Sequence, residues 1–165
     1  MPDSALPEDL DHSPQLSPDA AQIARGVLRL LSHHGYTGIA EMTLANNRRA
    51  DIAAIGANGK ITMVEIKSSV ADFRADNKWP EYRPYCDHFY FAVGHDFPQQ
   101  LIPEETGLIV ADAFGGAILR QPDETPLAAA RRKAVTLRFA RLAAARLRVA
   151  ESSLRTALDS LPAQP

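Results

Sequence analysis

The feature that most constrains the fold is a pair of strand-like runs joined by a tight turn. Residues 48–55 and 60–67 flank Asn58 and Gly59, two residue types that tolerate the positive φ of a hairpin turn. In the second run, Thr62, Val64 and Ile66 face one side of the pleat, and apolar residues also occupy the other side. A strand that is apolar on both sides is covered on both faces, so this run is predicted to be the central strand of a sheet.

Three charged residues interrupt this otherwise apolar hairpin. If the turn is centred on Asn58, Asp51 lies directly opposite Glu65, because each is seven residues from position 58. Lys67 shares a face with Glu65, since residues two apart on a strand point the same way. A charge at the covered end of a sheet is costly unless it is paired or bound to a metal. The sequence therefore predicts that these three side chains meet in one place.

Two carboxylates and a lysine in this arrangement suit phosphodiester hydrolysis. Asp51 and Glu65 could hold Mg²⁺ or Mn²⁺, with the main-chain carbonyl of Ile66 as a third ligand, because Mg²⁺ takes few protein ligands and keeps several waters. Lys67 would orient or help to deprotonate the attacking water, or stabilise charge in the transition state. Arg49, which points with Asp51 by alternation, could contact a phosphate. The alternative is an exposed cross-strand ion pair of little energetic value.

The other elements complete a mixed α/β arrangement. The helix over residues 18–33 is predicted to begin at a Ser17 or Asp19 cap and to end at Gly35. The first three strands are followed by a helical segment, a fourth strand, a hairpin and one long helix or two. These remaining elements are predicted at residues 37–44 (first strand), 69–85 (helical, broken at Pro80 and Pro84), 88–93, 107–111 with 117–119, and 127–158.

Charge is distributed unevenly along the chain. The net charge is −2, yet residues 1–20 carry five acidic residues and no Lys or Arg, whereas residues 131–155 carry eight basic residues against Glu151 alone. Four arginines of the basic helix are predicted DNA contacts: Arg131, Arg138, Arg141 and Arg148. The alternatives are a helix packed on the domain with a solvated basic face, or a dimer formed through the spacing of Leu147, Leu154 and Leu161.

Composition excludes several other classes of protein. The single Cys86 rules out an intramolecular disulfide and fits a reducing compartment. No apolar run reaches the length of a bilayer span, and no basic segment followed by an apolar one opens the chain. No phosphate-binding glycine loop or zinc spacing is present. We therefore expect a cytoplasmic protein with no membrane association and no nucleotide cofactor.

Several stretches also resemble the MmcB-like bacterial DNA repair family. They are residues 49–51 (RAD), 65–69 (EIKSS), 71–82 (ADFRADNKWPEY) and 86–93 (CDHFYFAV). By resemblance this family belongs to the PD-(D/E)XK nuclease superfamily, whose restriction-endonuclease-like fold has an αβββαβ core and agrees with the order of elements above. The resemblance spans about residues 20–120. Asp51, Glu65 and Lys67 occupy its motif positions, and Ala50 replaces the usual proline.

The resemblance implies a DNA repair protein that acts as a divalent-metal-dependent DNA endonuclease. Its implied partners are DNA and either a second copy or another repair protein. The alternative is a catalytically silent adaptor that keeps the nuclease fold and binds DNA or protein. RNA as the substrate is a third possibility.

Five further residues are interpreted around the motif. Lys78 and Tyr82 resemble a Q-x-x-x-Y element of related nucleases, with Lys in place of Gln, and would position a phosphate if one helical face carries both. The alternative is that Lys78 extends over Trp79 and Tyr82 packs at the sheet edge. Glu41 either supplies a carboxylate for a second ion or is a solvated strand residue. Asp76, like Asp72, either partners a nearby lysine or stabilises a helix N-terminus, and the second interpretation is favoured.

The predicted organisation is a single nuclease-like domain with extensions. Residues 1–17 form a disordered acidic arm, and residues 18–122 form the α/β domain. Residues 126–160 form the basic amphipathic helix or helices, and residues 161–165 form a tail.

Overall fold

The structure is a computed structural model and describes residues 16–160. The predicted acidic arm, except for its last two residues, and the predicted tail lie outside the described residues. The helices and strands are α1 (Pro18–His33), β1 (Tyr36–Thr43), β2 (Arg49–Gly56), β3 (Ile61–Lys67), α2 (Val70–Ala75), β4 (His88–Val93), β5 (Gly107–Ala111), β6 (Gly116–Arg120) and α3 (Ala129–Asp159). Three short 3₁₀ turns lie at Trp79–Glu81, Arg83–Tyr85 and Gln99–Leu101.

The strands form one six-stranded mixed sheet in the order β1-β2-β3-β4-β5-β6. Strands β1, β2 and β3 are successively antiparallel, β3, β4 and β5 are parallel, and β6 returns antiparallel to β5. All seven residues of β3 are buried. The predicted α/β fold, with a mixed sheet, a C-terminal hairpin and β3 as a central strand, is confirmed.

Helix α1 covers one face of the sheet. The Ser17 hydroxyl accepts a hydrogen bond from the Ala20 N–H at the start of this helix, and Gly35 takes a positive φ of 79° just past its end. The buried face of α1, including Val27, packs on the even-numbered side chains of the central strands, such as Val64. The opposite face therefore belongs to the odd-numbered residues, among which are the three charged ones.

The second face is covered by α2, by the 3₁₀ turns and by α3. The predicted helical segment over residues 69–85 is not one helix, because α2 ends at Ala75 and two separate 3₁₀ turns follow. Pro80 and Pro84 each lie in the first two positions of such a turn, where a missing N–H costs nothing. The prediction that Lys78 and Tyr82 share one helical face is therefore wrong.

Helix α3 is a single helix of 31 residues that crosses this second face. Val135 and Leu142 are buried against the sheet, while every residue from 147 to 160 is exposed. No helix within residues 16–160 has the length and apolar character that crossing a membrane requires. Dimerisation through the leucine spacing stays a prediction, since Leu161 lies outside the described residues.

A buried carboxylate fixes the start of α3 to the sheet. Asp87 accepts hydrogen bonds from the N–H groups of Ile61 and Leu127, both through its side chain. Two nitrogens of Arg132 approach its two oxygens at 2.7 Å each. Burial alone would raise the pKa of Asp87, but Arg132 and the two amides reverse this effect and lower it to about 2.

Candidate active site

The register of the central hairpin brings the predicted acids to one end of the sheet. Ile52 pairs with Val64 in the β2–β3 ladder, so the next step places Asp51 beside Glu65. The Asp51 carboxylate reaches across to β3, where its Oδ2 accepts a hydrogen bond of 2.7 Å from the Ile66 N–H. The side chain of Asp51 is therefore held against the strand that carries the other two motif residues.

Glu65 and Lys67 lie side by side and are almost fully buried. The Lys67 Nζ is 3.3 Å from Glu65 Oε1 and 3.0 Å from Asp76 Oδ2. Glu65 is 7% exposed and Lys67 is 3% exposed. Glu65 Oε2 is buried without a hydrogen-bond partner, and a buried unpartnered carboxylate oxygen is costly unless a cation or proton compensates it. The structure thus brings together all three predicted residues and leaves one carboxylate oxygen of Glu65 without a hydrogen-bond partner.

Burial dominates the electrostatics of the two acids. It raises the pKa of Asp51 to about 6, against the lowering effects of the Ile66 N–H, Lys67 and Arg49. It raises the pKa of Glu65 to about 8, and the neighbouring Asp51 carboxylate adds to that rise. Perturbed carboxylates of this kind are typical of functional sites. The pair therefore favours any ligand that supplies positive charge.

The lysine of the site is held in its charged form. Burial lowers the pKa of Lys67, but the carboxylates of Glu65 and Asp76 outweigh burial, so the net direction is upward. Lys67 in turn lowers the pKa of Asp76, against the opposing effect of burial. The favoured interpretation of Asp76 as a helix N-terminal acid is wrong, because α2 ends at Ala75 and Asp76 instead pairs with Lys67.

Tyr82 supports the site from beneath rather than facing solvent. Its ring stacks on Phe89 with centroids 5.8 Å apart, and its hydroxyl donates to the main-chain carbonyl of Arg49 at 3.0 Å. Burial raises the pKa of Tyr82, and so do Glu65 and Asp51. The packed alternative is therefore the one found for Tyr82, whereas Lys78 is exposed.

Glu41 occupies a distorted position in β1. It has a positive φ of 53° and interrupts the pairing with β2 between Ala40 and Met42, across from Asp51. Its Oε1 is 3.7 Å from Arg49 Nη2, and its side chain is 14% exposed. The interpretation of Glu41 as a solvated strand residue is therefore wrong, and its role toward a second ion stays a prediction. A non-glycine residue in this conformation costs on the order of 1–3 kcal/mol and needs support from its surroundings.

Arg146 of α3 supplies that support. Its guanidinium donates to the main-chain carbonyls of Ala40 and Glu41, with 2.8 Å between Nη2 and the Glu41 oxygen. The contact joins residues more than 100 positions apart, so no local sequence signal could have found it. Arg146 is thus a residue that sequence reasoning missed, and it connects α3 to the edge of the candidate site.

We expect Arg146→Ala to lower the free energy of unfolding by about 1–3 kcal/mol, because two partly buried carbonyls lose their donor. Chemical denaturation in urea measures the change. Arg148→Ala is the matched control: Arg148 is exposed on the same helix, and its removal should change stability by less than about 0.5 kcal/mol. Equal effects of the two substitutions would contradict the bracing role of Arg146.

The predicted DNA-contacting arginines are in different environments. The Arg131 guanidinium lies over the Tyr85 ring, with its carbon 4.5 Å from the ring centroid. Arg138 donates to the Thr43 carbonyl at 3.1 Å and is half-buried. Arg141 and Arg148 are exposed. Three of the four are thus oriented toward solvent, and Arg138 also anchors α3 to β1.

The donor set suits a hard cation that keeps much of its hydration. Across residues 16–160, no group of three or more His, Cys, Asp or Glu side chains is arranged to hold a metal ion. What the site offers is the two carboxylates of Asp51 and Glu65, with the Ile66 carbonyl as the predicted third oxygen. Mg²⁺ is commonly bound by one or two carboxylates together with waters, so the residues present fit such an ion.

The raised pKa of Glu65 predicts an unusual pH dependence of stability. The folded protein keeps this proton up to about pH 8, whereas an unfolded chain releases it near 4.5. Between these values the folded state binds more protons, so the free energy of unfolding falls as the pH rises. We expect Glu65→Gln to flatten this fall when thermal unfolding is followed from pH 5 to 8.5. The exposed control Glu105→Gln should show the same dependence of stability on pH as the wild-type protein. The same dependence in Glu65→Gln would contradict the raised pKa of Glu65 as its cause.

Comparison with known proteins identifies the family of this chain. A family model described as "DNA repair protein MmcB-like" matches residues 8–154. The chain belongs to the MmcB-like family. Membership places it among DNA repair proteins. A solved structure of a protein of unknown function from Silicibacter pomeroyi is similar to this MmcB-like chain, with a TM-score of 0.80 and 38% identity over 92% of this chain and 100% of that chain. No curated protein matches.

Proposed function

We propose that this MmcB-like protein is a divalent-metal-dependent deoxyribonuclease of the PD-(D/E)XK type, which hydrolyses phosphodiester bonds during DNA repair. The observation that carries the proposal is the meeting of Asp51, Glu65 and Lys67 at the end of the β2–β3 hairpin, with Glu65 Oε2 buried and unpartnered. A lone surface ion pair would not need this burial or leave this oxygen without a partner.

The metal ligands in this proposal are the carboxylates of Asp51 and Glu65 and the carbonyl of Ile66. When bound there, Mg²⁺ or Mn²⁺ would lower the pKa of an attacking water and neutralise charge on the phosphate. The two acids share a low-dielectric site in which burial raises the pKa of Glu65 and repulsion from Asp51 adds to that rise. Their contribution is therefore to hold two carboxyl groups where a hard cation could replace the proton on Glu65.

Lys67 acts as a fixed ammonium in this proposal. Its pKa is raised, so it donates hydrogen bonds rather than removing a proton. The contacts with Glu65 and Asp76 hold its Nζ beside the carboxylate pair. From there it orients the attacking water and stabilises the charge that develops on the phosphoryl oxygens. Asp76 is a positioning residue, because it acts only through Lys67.

Approach of the substrate would follow the partly exposed side of the site. Asp51 and Asp76 are half-buried, so the site meets solvent on their side, while Glu65 and Lys67 form its interior. The exposed arginines of α3, Arg131 and Arg141 among them, supply positive charge for phosphates. Binding is therefore expected to weaken steeply as salt rises.

Metal-dependent cleavage tests the proposal directly. Purified protein is incubated with single-stranded, duplex, nicked, flap and branched DNA in Mg²⁺, in Mn²⁺ or in EDTA. We expect at least one substrate to be nicked or cut only when a metal is present, and Asp51→Asn to remove the activity. Asp123→Asn, which changes an exposed acid, should cut at the wild-type rate. A complete lack of metal-dependent cleavage over the panel would contradict the proposal. Competition between DNA and RNA of equal sequence distinguishes a deoxyribonuclease from a ribonuclease.

A second candidate is a catalytically silent adaptor that retains the nuclease fold. One observation favours it: Lys67 is paired with both Glu65 and Asp76 inside a nearly closed site, an arrangement that can be neutral without any ligand. The adaptor predicts that Glu65→Gln fully restores DNA-damage tolerance to cells that lack the protein. The nuclease predicts that the same variant fails to restore it although it folds normally.

A further inference from the structure

A groove outside the motif site runs between α3 and the loop that joins β1 to β2. Its volume is about 690 Å³. Tyr85, at the end of a 3₁₀ turn, also lines it. The side chains that give the groove its character are three apolar or aromatic ones and three arginines: Leu44, Tyr85, Leu137, Arg131, Arg138 and Arg141.

The groove is positively charged and carries no compensating acid. Within the described part of the chain, no carboxylate pairs with Arg131, Arg138 or Arg141. Arg131 and Arg138 lie two helical turns apart, about 10 Å along the axis at 1.5 Å per residue. A row of cations at this spacing favours an extended polyanion over a single small anion.

One large apolar side chain in the wall of the groove is open to solvent. Leu137 is 53% exposed although it stands between Arg131 and Arg141 on the helix. The Arg131 guanidinium rests over the Tyr85 ring, and a guanidinium plane supported in this way can itself stack on a base. A double helix presents phosphates to such a surface and keeps its bases inside, so an apolar wall gains nothing from it. An unpaired strand presents both phosphates and base faces.

The groove also leads toward the candidate active site. Thr43, whose carbonyl binds Arg138, pairs with Arg49 on β2. Asp51 follows Arg49 by two residues on the same strand, about 7 Å away. A strand lying in the groove therefore passes close to the end of β2 that carries the proposed metal ligand.

We propose that this groove binds single-stranded DNA, with phosphates on its arginines and bases against Leu137 and the Arg131 plane. The choice of DNA rests on the proposed function, and the groove narrows the substrate class to DNA that contains an unpaired segment, such as a flap, a gap or a fork. The groove volume lies within the range of about 300–1,000 Å³ that accommodates drug-sized ligands, enough for one or two bases and too small for a duplex.

Equilibrium binding without metal tests this proposal independently of cleavage. Fluorescence anisotropy in EDTA compares three labelled probes: a single strand of about 16 nucleotides, its duplex, and a strand of equal length built from abasic sugars. We expect the intact single strand to bind at least about 10-fold more tightly than either other probe, since only it offers base faces. Equal binding of the intact and abasic strands, or tighter binding of the duplex, would overturn the proposal.

Two variants with matched controls locate the binding. Leu137→Ser should weaken binding of the intact strand about 5- to 10-fold and leave the abasic strand unchanged, because it removes base contact only. Leu154→Ser changes another exposed leucine (64% exposed) farther along α3 and should have no effect. Arg141→Gln should weaken binding of both strands and should reduce, by about one, the slope of the logarithm of the binding constant against the logarithm of the salt concentration. Arg155→Gln should leave binding unchanged. Equal effects of each variant and its control would overturn the proposal.

These outcomes separate the two proposals. Binding of single strands in the groove without any cleavage would contradict only the proposed nuclease activity. A protein that cuts DNA with metal but binds duplex and single strand equally contradicts only the groove assignment.

Discussion

Replacement of Lys67 by methionine is expected to lower the rate of DNA cleavage at least about 100-fold. Methionine has nearly the length of lysine, so it fills the buried position but supplies neither a charge nor a hydrogen-bond donor. Loss of a preorganised donor that faces developing charge typically costs about 10²–10³ in kcat. The measurement is single-turnover cleavage in Mg²⁺ of the substrate that the wild-type protein cuts best.

Two companion variants make this prediction specific. Lys60→Met removes a half-buried lysine that pairs with Glu124, away from the motif residues, and should cleave at the wild-type rate. Asp76→Asn keeps an acceptor but removes a charge from Lys67, so it should cleave more slowly than wild type and shift the alkaline limb of the pH profile to lower pH. Wild-type cleavage by Lys67→Met in a correctly folded protein would show that this side chain has no part in the chemistry.

Replacement of Asp87 by alanine is expected to cost about 3–5 kcal/mol of stability. The substitution leaves the partly buried Arg132 without its carboxylate partner and the N–H groups of Ile61 and Leu127 without acceptors. Breaking a buried, hydrogen-bonded ion pair by removing one partner carries a cost of this size. Because Asp87 joins β3 to the start of α3, the loss should also loosen that helix. Urea denaturation with far-UV circular dichroism measures both effects.

The controls for Asp87 follow from its contacts. Asp123→Ala removes an exposed acid in the segment that precedes α3 and should change stability by less than about 0.5 kcal/mol. The double variant Asp87→Asn/Arg132→Gln removes both charges together and should be less destabilised than Asp87→Ala, because no guanidinium is left stranded. A loss below about 1 kcal/mol in Asp87→Ala would contradict the anchoring role.

The central hairpin could be predicted because its information is local. Alternation of apolar residues and the turn residues Asn58 and Gly59 determine which side chains share a face, and the ladder pair Ile52–Val64 has the register derived from the turn. Once that register is set, Asp51 and Glu65 must be neighbours. The long run of apolar residues on both sides of β3 likewise predicts its central place without knowledge of the other strands.

The remaining parts of the site depend on contacts between distant residues. Asp76 pairs with Lys67 only because α2 ends one residue earlier, and helix ends are the least reliable feature of a sequence pattern. The left-handed Glu41 and its brace Arg146 belong to elements more than 100 residues apart. Tyr82 packs beneath the acids because two 3₁₀ turns replace the expected helix. All three arrangements depend on tertiary packing, which the periodicity of apolar residues in the sequence does not predict.

Binding of Mn²⁺ observed by electron paramagnetic resonance tests most directly the claim that Asp51 and Glu65 together form a cation site. The wild-type protein should bind Mn²⁺, and its affinity should rise between pH 6 and pH 8.5 as the cation displaces protons from the two carboxyls. Asp51→Asn and Glu65→Gln should each abolish that binding, whereas Asp123→Asn should retain it. Absence of bound Mn²⁺ in the wild-type protein at pH 8.5, or equal binding by all four proteins, would contradict the claim.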